Sequence, residues 1–194
     1  MQSIEFVGAK YDEMWIKHKN MEARSRSEKI LDKIDDLEQY GRCDCVEIPG
    51  IPVQKDESTD ELVCSIRNLV NINIKLEDLS VMHRLKHSTR SKFPPAIIAK
   101  FVRREVRDKL YQAIKYLKNK TTTDLGLGGY ANNKIYIAES LTRKNKDSFN
   151  KSLETKRSMN KKFIWTRQGK IYLRKDTTTP KKLISSMFDL TTLS

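Results

Sequence analysis

No stretch of roughly 18 consecutive apolar residues occurs in the 194-residue sequence, so no segment has the length and polarity of a membrane-spanning helix. The amino terminus also lacks a basic segment followed by an apolar run, the signature of a secretory signal. An intracellular protein without membrane contact is expected, cytoplasmic or nuclear being left open. Cysteine is scarce, and Cys43, Cys45 and Cys64 form an odd set without paired ligand spacing, as suits free thiols in a reducing compartment. Of the seven glycines, Gly126, Gly128 and Gly129 cluster without a following Lys-Ser/Thr, so there is no phosphate-cradling loop. His83 and His87 are four apart, but they straddle a strand end with no third ligand nearby in sequence.

What is abundant is positive charge. The formal net charge is +13 and the pI about 9.6, a property that bears on partners and solubility rather than on fold. Residues 1–79 hold 11 Lys and Arg against 17 Asp and Glu, whereas residues 80–120 and residues 141–175 each hold 12 against 2. Concentrating one sign costs self-repulsion that an anionic ligand relieves, and two basic blocks argue for a polyanion more than for simple solubility. The carboxylates inside these blocks are Glu105, Asp108, Asp147 and Glu154, too few to hold the metal that nuclease chemistry requires. No enzymatic activity, cofactor or metal is expected.

The pattern of apolar residues predicts an α+β protein in three segments. Residues 12–41 carry Ile16, Ala23, Ile30, Ile34 and Leu37 at heptad-compatible intervals, free of Pro and with Gly only at the end. The register puts Asn20 and Ser27 on the seam, so two readings stay open: a coiled coil, or one amphipathic helix packed on its own domain. Strand Cys45–Ile48, a helix through Leu62, Ile66, Leu69 and Val70, strand Leu79–Leu85, strand Ala96–Val102 and a helix from Arg103 follow in turn. A fourth strand near Leu125–Leu127 would complete a split β-α-β domain over residues 42–130, with two helices on one sheet face and the other face open. Modules of this RRM-like kind bind unstacked bases on the open face. Residues 131–194 form the last segment, with a strand Lys134–Ala138, a helix Leu141–Met159, and a hairpin of Phe163–Arg167 and Lys170–Lys175 turning at Gln168-Gly169. Leu183, Ile184, Met187 and Phe188 suggest a closing helix.

Candidate contacts follow from these placements. Arg84, Lys86, Arg90 and Lys92 lie on one strand end and its loop, where long cationic side chains can converge on phosphates. Arg103, Arg104 and Arg107 open a helix whose amides also favour anions, a solvated helix face being the alternative. In the hairpin, Trp165, Arg167, Lys170, Tyr172 and Arg174 interleave aromatic and cationic groups, the mixture that lets bases stack while phosphates are neutralised. Alternation by two puts Tyr172 with Lys170 and Arg174. Trp165 shares a face with Phe163 and Arg167, and core packing is the safer assumption for at least one of the two large rings.

The strings Leu37–Arg42, Val46–Pro52 and Ser80–Leu85, then Pro94–Ile98, Lys100–Arg104, Asn133–Thr142 and Phe163–Lys175, resemble the few-polyhedra (FP) protein family of baculoviruses and its insect relatives. The layout is also similar to the first-open-reading-frame proteins of LINE-type retrotransposons, in which a coiled coil precedes an RNA-recognition-like domain and a basic carboxyl-terminal domain. That resemblance implies an oligomeric single-strand-binding chaperone, a trimer or a dimer through residues 12–41, with Arg84, Arg90, Arg167, Lys170 and Tyr172 at nucleic-acid contacts. The two central strands, Cys45–Ile48 and Ile97–Lys100, lack the paired aromatics of ordinary RNA-recognition modules. The expected function is binding of single-stranded RNA or DNA with little sequence preference, by a retrotransposon-derived coating or annealing protein. The alternative is a viral-type structural or scaffolding protein that self-associates through the amino-terminal helix.

Overall fold

The computed structural model describes residues 2–86, 93–159, 161–185 and 189, residues 2–9 by their backbone alone. By their contacts, residues Met1–Gln39 form one unit and Tyr40–Ser194 another. The protein is α+β, as the sequence predicts.

The first unit is a helix. Helix α1 (Gln2–Arg42) starts ten residues before the expected position and passes through Gly41. Among the described residues its apolar side chains Met14, Trp15, Ile16, Met21, Ile30, Ile34 and Leu37 are exposed. A helix whose apolar side chains stay in water draws its stability from intrinsic propensity and length.

The second unit is built around an antiparallel four-stranded sheet in the order β2-β3-β1-β4. Its strands are β1 (Cys45–Ile48), β2 (Leu79–Arg84), β3 (Ile97–Phe101) and β4 (Ala138–Glu139). Period-two alternation sends Val46 and Ile48 of β1 and Ile97, Ala99 and Phe101 of β3 to one face. There they join one core with Leu62, Val63 and Ile66 of helix α2 (Thr59–Leu69) and Val106 and Leu110 of helix α3 (Arg104–Gln112). Ser58 caps α2 by accepting the Glu61 N–H. The register of β2 slips between Leu79 and Val81; that irregularity leaves Val81 exposed where strict alternation would bury it.

The fourth strand is not at Leu125–Leu127. Thr122–Leu125 forms a 3-10 turn closed by Gly126 in the left-handed region, and β4 comes from the end of the apolar run Ile135–Ala138 instead. The sheet of the 42–130 segment is thus completed by a strand from beyond residue 130. Gly50, at φ 96°, lets the chain pass so close to Lys134 that a Cβ there would lie 2.5 Å from its carbonyl oxygen.

After β4, helix α4 (Arg143–Ser158) packs on a second sheet, β5-β6-β7, all antiparallel. Strands β5 (Phe163–Arg167) and β6 (Lys170–Arg174) form the expected hairpin, with Gln168 at φ 53° and Gly169 at φ 75°. Both turn residues in the left-handed region match the right-handed twist of the strands. The expected closing helix is in part a strand, β7 (Lys182–Ile184), because Ile184 alternates into the small core of Ile171 and Leu173. Met187 and Phe188 lie outside the described residues.

Arg84 staples the first sheet. Its Nε and Nη2 donate to the Glu57 carboxylate at 2.7 and 2.8 Å, Nη2 also to Pro52 O, and Nη1 to Ile51 O and Pro95 O. This pairing, first through the hydrogen bond and then through charge, holds the Glu57 carboxyl below its ordinary value despite opposing desolvation. A depressed folded-state pKa contributes stability above the unfolded value that is lost as pH falls through the folded one. Acidification below about pH 4.5 therefore lowers the urea midpoint of the wild type more steeply than that of Glu57→Gln; parallel midpoint-against-pH curves would refute this.

Candidate nucleic-acid interface

The open face of the first sheet presents Val81 and His83 from β2, Ile98 and Lys100 from β3, and Cys45 and Glu47 from β1. None is Phe, Tyr or Trp. Cys45 is buried, and Glu47 accepts hydrogen bonds from Ser140 Oγ at 3.1 Å and Lys146 Nζ at 3.4 Å. A single imidazole is a smaller stacking surface than the paired aromatics of RNA-recognition modules.

The cations expected around it are largely engaged with the protein's own acceptors. Arg84 donates five hydrogen bonds, as many as its guanidinium has N–H groups, and has none left for a phosphate. Arg107 is buried: Nη2 donates to Glu139 Oε1 at 2.8 Å and Nη1 to Asp108 Oδ1 at 2.9 Å. Burial opposes its charge, but Glu139 outweighs that and holds its pKa above the ordinary value. Its Nε is, among the described residues, the one buried side-chain nitrogen or oxygen without a partner. Arg104 donates to Asp44 at 2.6 Å and to Tyr40 O at 3.0 Å, and its guanidinium lies 4.1 Å from the centre of the Tyr40 ring. Arg103 reaches Asp78 at 2.5 Å while its side chain remains largely exposed. Lys86 is exposed; Arg90 and Lys92 lie outside the described residues.

The second sheet is different. Register pairs Trp165 with Tyr172, Arg167 with Lys170 and Phe163 with Arg174, so these six side chains share the outer face, while Ile164, Thr166, Ile171 and Leu173 face inward. Trp165 and Tyr172 are both half-buried and stack on each other, centroids 5.7 Å apart and planes at 17°. Lys181, from the segment entering β7 on the other side of β6, holds its ammonium 5.1 Å from the Tyr172 ring centre. Tyr172 is flanked from both neighbouring strands, which leaves Trp165 and the exposed Phe163 as the rings with a face to offer. Arg167 and Lys170 are exposed, and neither makes an ion pair among the described residues. Strands β5, β6 and β7 contain no carboxylate.

One residue that sets this geometry escaped the sequence reading. Glu139, on the inner face of β4 and 4% exposed, accepts the backbone N–H of Gln168 at 2.8 Å and of Gly169 at 3.0 Å as well as the Arg107 bond. Tyr111 of α3 adds a second tie through its hydroxyl to Thr166 Oγ1 at 3.1 Å. The signal for Glu139 is a lone carboxylate ending the apolar run Ile135–Ala138.

No helix is long and apolar enough to cross a membrane, and no group of three or more His, Cys, Asp or Glu could hold a metal ion, both among the described residues. Removing one member of a buried ion pair costs about 3–5 kcal/mol because the other is left uncompensated. Glu139→Ala is expected to lose that much in urea denaturation, and Glu139→Leu combined with Arg107→Leu to lose less than Glu139→Ala alone. A double variant at least as unstable as the single one would contradict the pairing.

Residues 142–194 match the family model described as Baculovirus FP protein domain 2. No curated protein matches the chain. The matched segment comprises α4 and the second sheet, so the part of the chain bearing the aromatic and cationic face is similar to the second domain of baculovirus FP proteins.

Proposed function

We propose that this protein binds single-stranded nucleic acid through the outer face of its β5-β6-β7 sheet. The observation that carries the reading is the stacked Trp165–Tyr172 pair flanked by Arg167 and Lys170 on a surface without carboxylates. Aromatic faces accept any base, and long cations on adjacent strands neutralise the backbone on either side, so the binding is tolerant of sequence. Trp165 stacks a base while Arg167 and Lys170 pair with successive phosphates. The first domain serves as the support: its strand order accords with a split β-α-β module, but the one ring on its open face, among the described residues, is the His83 imidazole. The sequence resemblance to the first-open-reading-frame proteins of LINE-type retrotransposons, and the role of coating or annealing that it implies, accord with this reading. Ordered bases require an unpaired strand, and a duplex offers this face only phosphates.

The affinity for a short labelled strand falls linearly with salt on logarithmic axes, by about 0.7 in slope for each neutralised phosphate. Changing Arg167 and Lys170 to Ala together flattens the slope by more than one such step. Trp165→Ala lowers affinity by about 1–3 kcal/mol without changing the slope. Fluorescence anisotropy across a salt series reads both, and no binding at low salt would remove the proposal.

The exposed apolar residues of α1 favour a second, compatible reading, self-association. Ile30, Ile34 and Leu37 stand one helical turn apart and all lie in solvent, an arrangement that a parallel copy of the helix covers. Light scattering on the full chain is expected to give a dimer or trimer, reduced to monomer by Ile30→Asp with Ile34→Asp; a monomeric wild type would dismiss it.

A further inference from the structure

Where β6 runs on into residues 175–181, the second sheet carries a concavity of about 340 Å³. Its ionisable lining is wholly cationic: Lys161, Arg174, Lys175, Lys181 and Lys182. The adjacent carboxylate, Asp176, is turned into its own loop, accepting the Thr178 hydroxyl at 2.7 Å and the N–H groups of Thr178 and Thr179 at 2.8 Å. These bonds, the Thr178 hydroxyl foremost, hold Asp176 far below the usual carboxylate range and keep it committed to the loop.

The same loop fixes Arg174. Its Nε donates to Thr179 O at 2.7 Å and its Nη2 to Thr177 O, while Nη1 has no protein partner among the described residues. Lys181 is placed by the Tyr172 ring. Arg174, Lys175 and Lys181 face no carboxylate among the described residues. Several cations held this close, with the guanidinium pre-ordered by loop carbonyls, repel one another until an anion enters. A compact, multiply hydrogen-bonding anion fits best, since a guanidinium edge and ammonium groups together match phosphate oxygens.

We infer that this pocket binds a phosphate group of the strand, with the free edge of Arg174, Lys175 and Lys181 as its ligands. The inference rests on the reading of the second sheet as the strand-binding surface, and it adds a fixed subsite to it. Lys181 links the two, because one ammonium touches both the pocket and the ring on which Trp165 stacks. The phosphate is either a terminal monoester or an internal diester; the chemistry of recognition is the same.

The full chain is titrated with inorganic pyrophosphate while backbone amide shifts are followed by NMR, and in parallel with 5′-phosphorylated and 5′-hydroxyl strands of one sequence by anisotropy. Saturable shifts centred on residues 174–182 are expected, with affinity falling at least about tenfold in Lys175→Ala with Lys181→Ala, as loss of charge-assisted bonds implies. A tighter 5′-phosphorylated strand, its advantage lost in that variant, assigns the pocket to a strand end. Equal affinity for the two strands, reduced equally by the variant, assigns it to an internal phosphodiester. Non-saturating shifts spread over all lysines, or a variant indistinguishable from wild type, would overturn the inference while leaving strand binding intact. Saturable pyrophosphate binding with no strand binding would instead overturn the nucleic-acid reading and leave only the pocket's preference for phosphate.

Discussion

The buried carboxylate of Glu139 is the constraint on which the arrangement of this protein's basic surface depends. A two-residue hairpin turn with both residues in the left-handed region points its amide N–H groups outward, usually to water. Here Gln168 and Gly169 give those groups to Glu139, and Arg107 balances the charge. Neither half of the cluster is stable alone: the carboxylate without Arg107 is an uncompensated buried charge, and Arg107 without the carboxylate is another. The cluster forms only when the hairpin is seated against β4 and α3, so it couples the packing of the second sheet to completion of the first. Arg167 and Lys170, which flank the turn, take their direction from it.

The same bookkeeping of partners separates the two basic blocks. In residues 80–120 the arginines are met by acids from the preceding, net acidic part of the chain: Arg84 by Glu57, Arg103 by Asp78, Arg104 by Asp44. Much of that positive block is compensated within the fold, and its charges hold loops to strands. In the second block, Arg167, Lys170, Arg174 and Lys175 have no such acids opposite them among the described residues. Net charge per segment reads alike for both. What distinguishes them is whether the partner acids lie across the sheet or are missing.

Much of the architecture was legible because it follows from short-range pattern. Alternation by two puts Tyr172 with Lys170 and Arg174, the side of β6 on which it stands. Helical spacing at Leu62 and Ile66 gives one of the helices that cover the first sheet. The failures share a physical cause. The acceptors of Arg84 lie 11 to 33 residues away and those of Arg107 up to 32, and nothing local to an arginine tells whether its fork will close on a carboxylate of its own chain. The fourth strand is misassigned for a related reason: the strand read at Lys134–Ala138 belongs by its pairing with β1 to the first sheet, and Glu139 puts an ion on the inward face where an apolar residue is usual. Lys182–Ile184 read as helix because apolar residues close together fit either period, and only the partner strand β6 decides between them.

The aromatic and cationic groups sit on a small sheet whose own core is Ile171, Leu173 and Ile184, with Phe149 and Ile164 packed against it. So little apolar burial supports few ordered residues against their conformational entropy. The sheet therefore borrows rigidity from the larger core through Glu139 and Tyr111, and from the loop around Asp176 at its other end. Cations crowded on one face push the strands apart, a repulsion that the proposed anionic strand would remove while giving Trp165 a stacking partner. The clamp holds the turn from the core side, and the proposed ligand would meet Arg167 and Lys170 at the same turn from the solvent side.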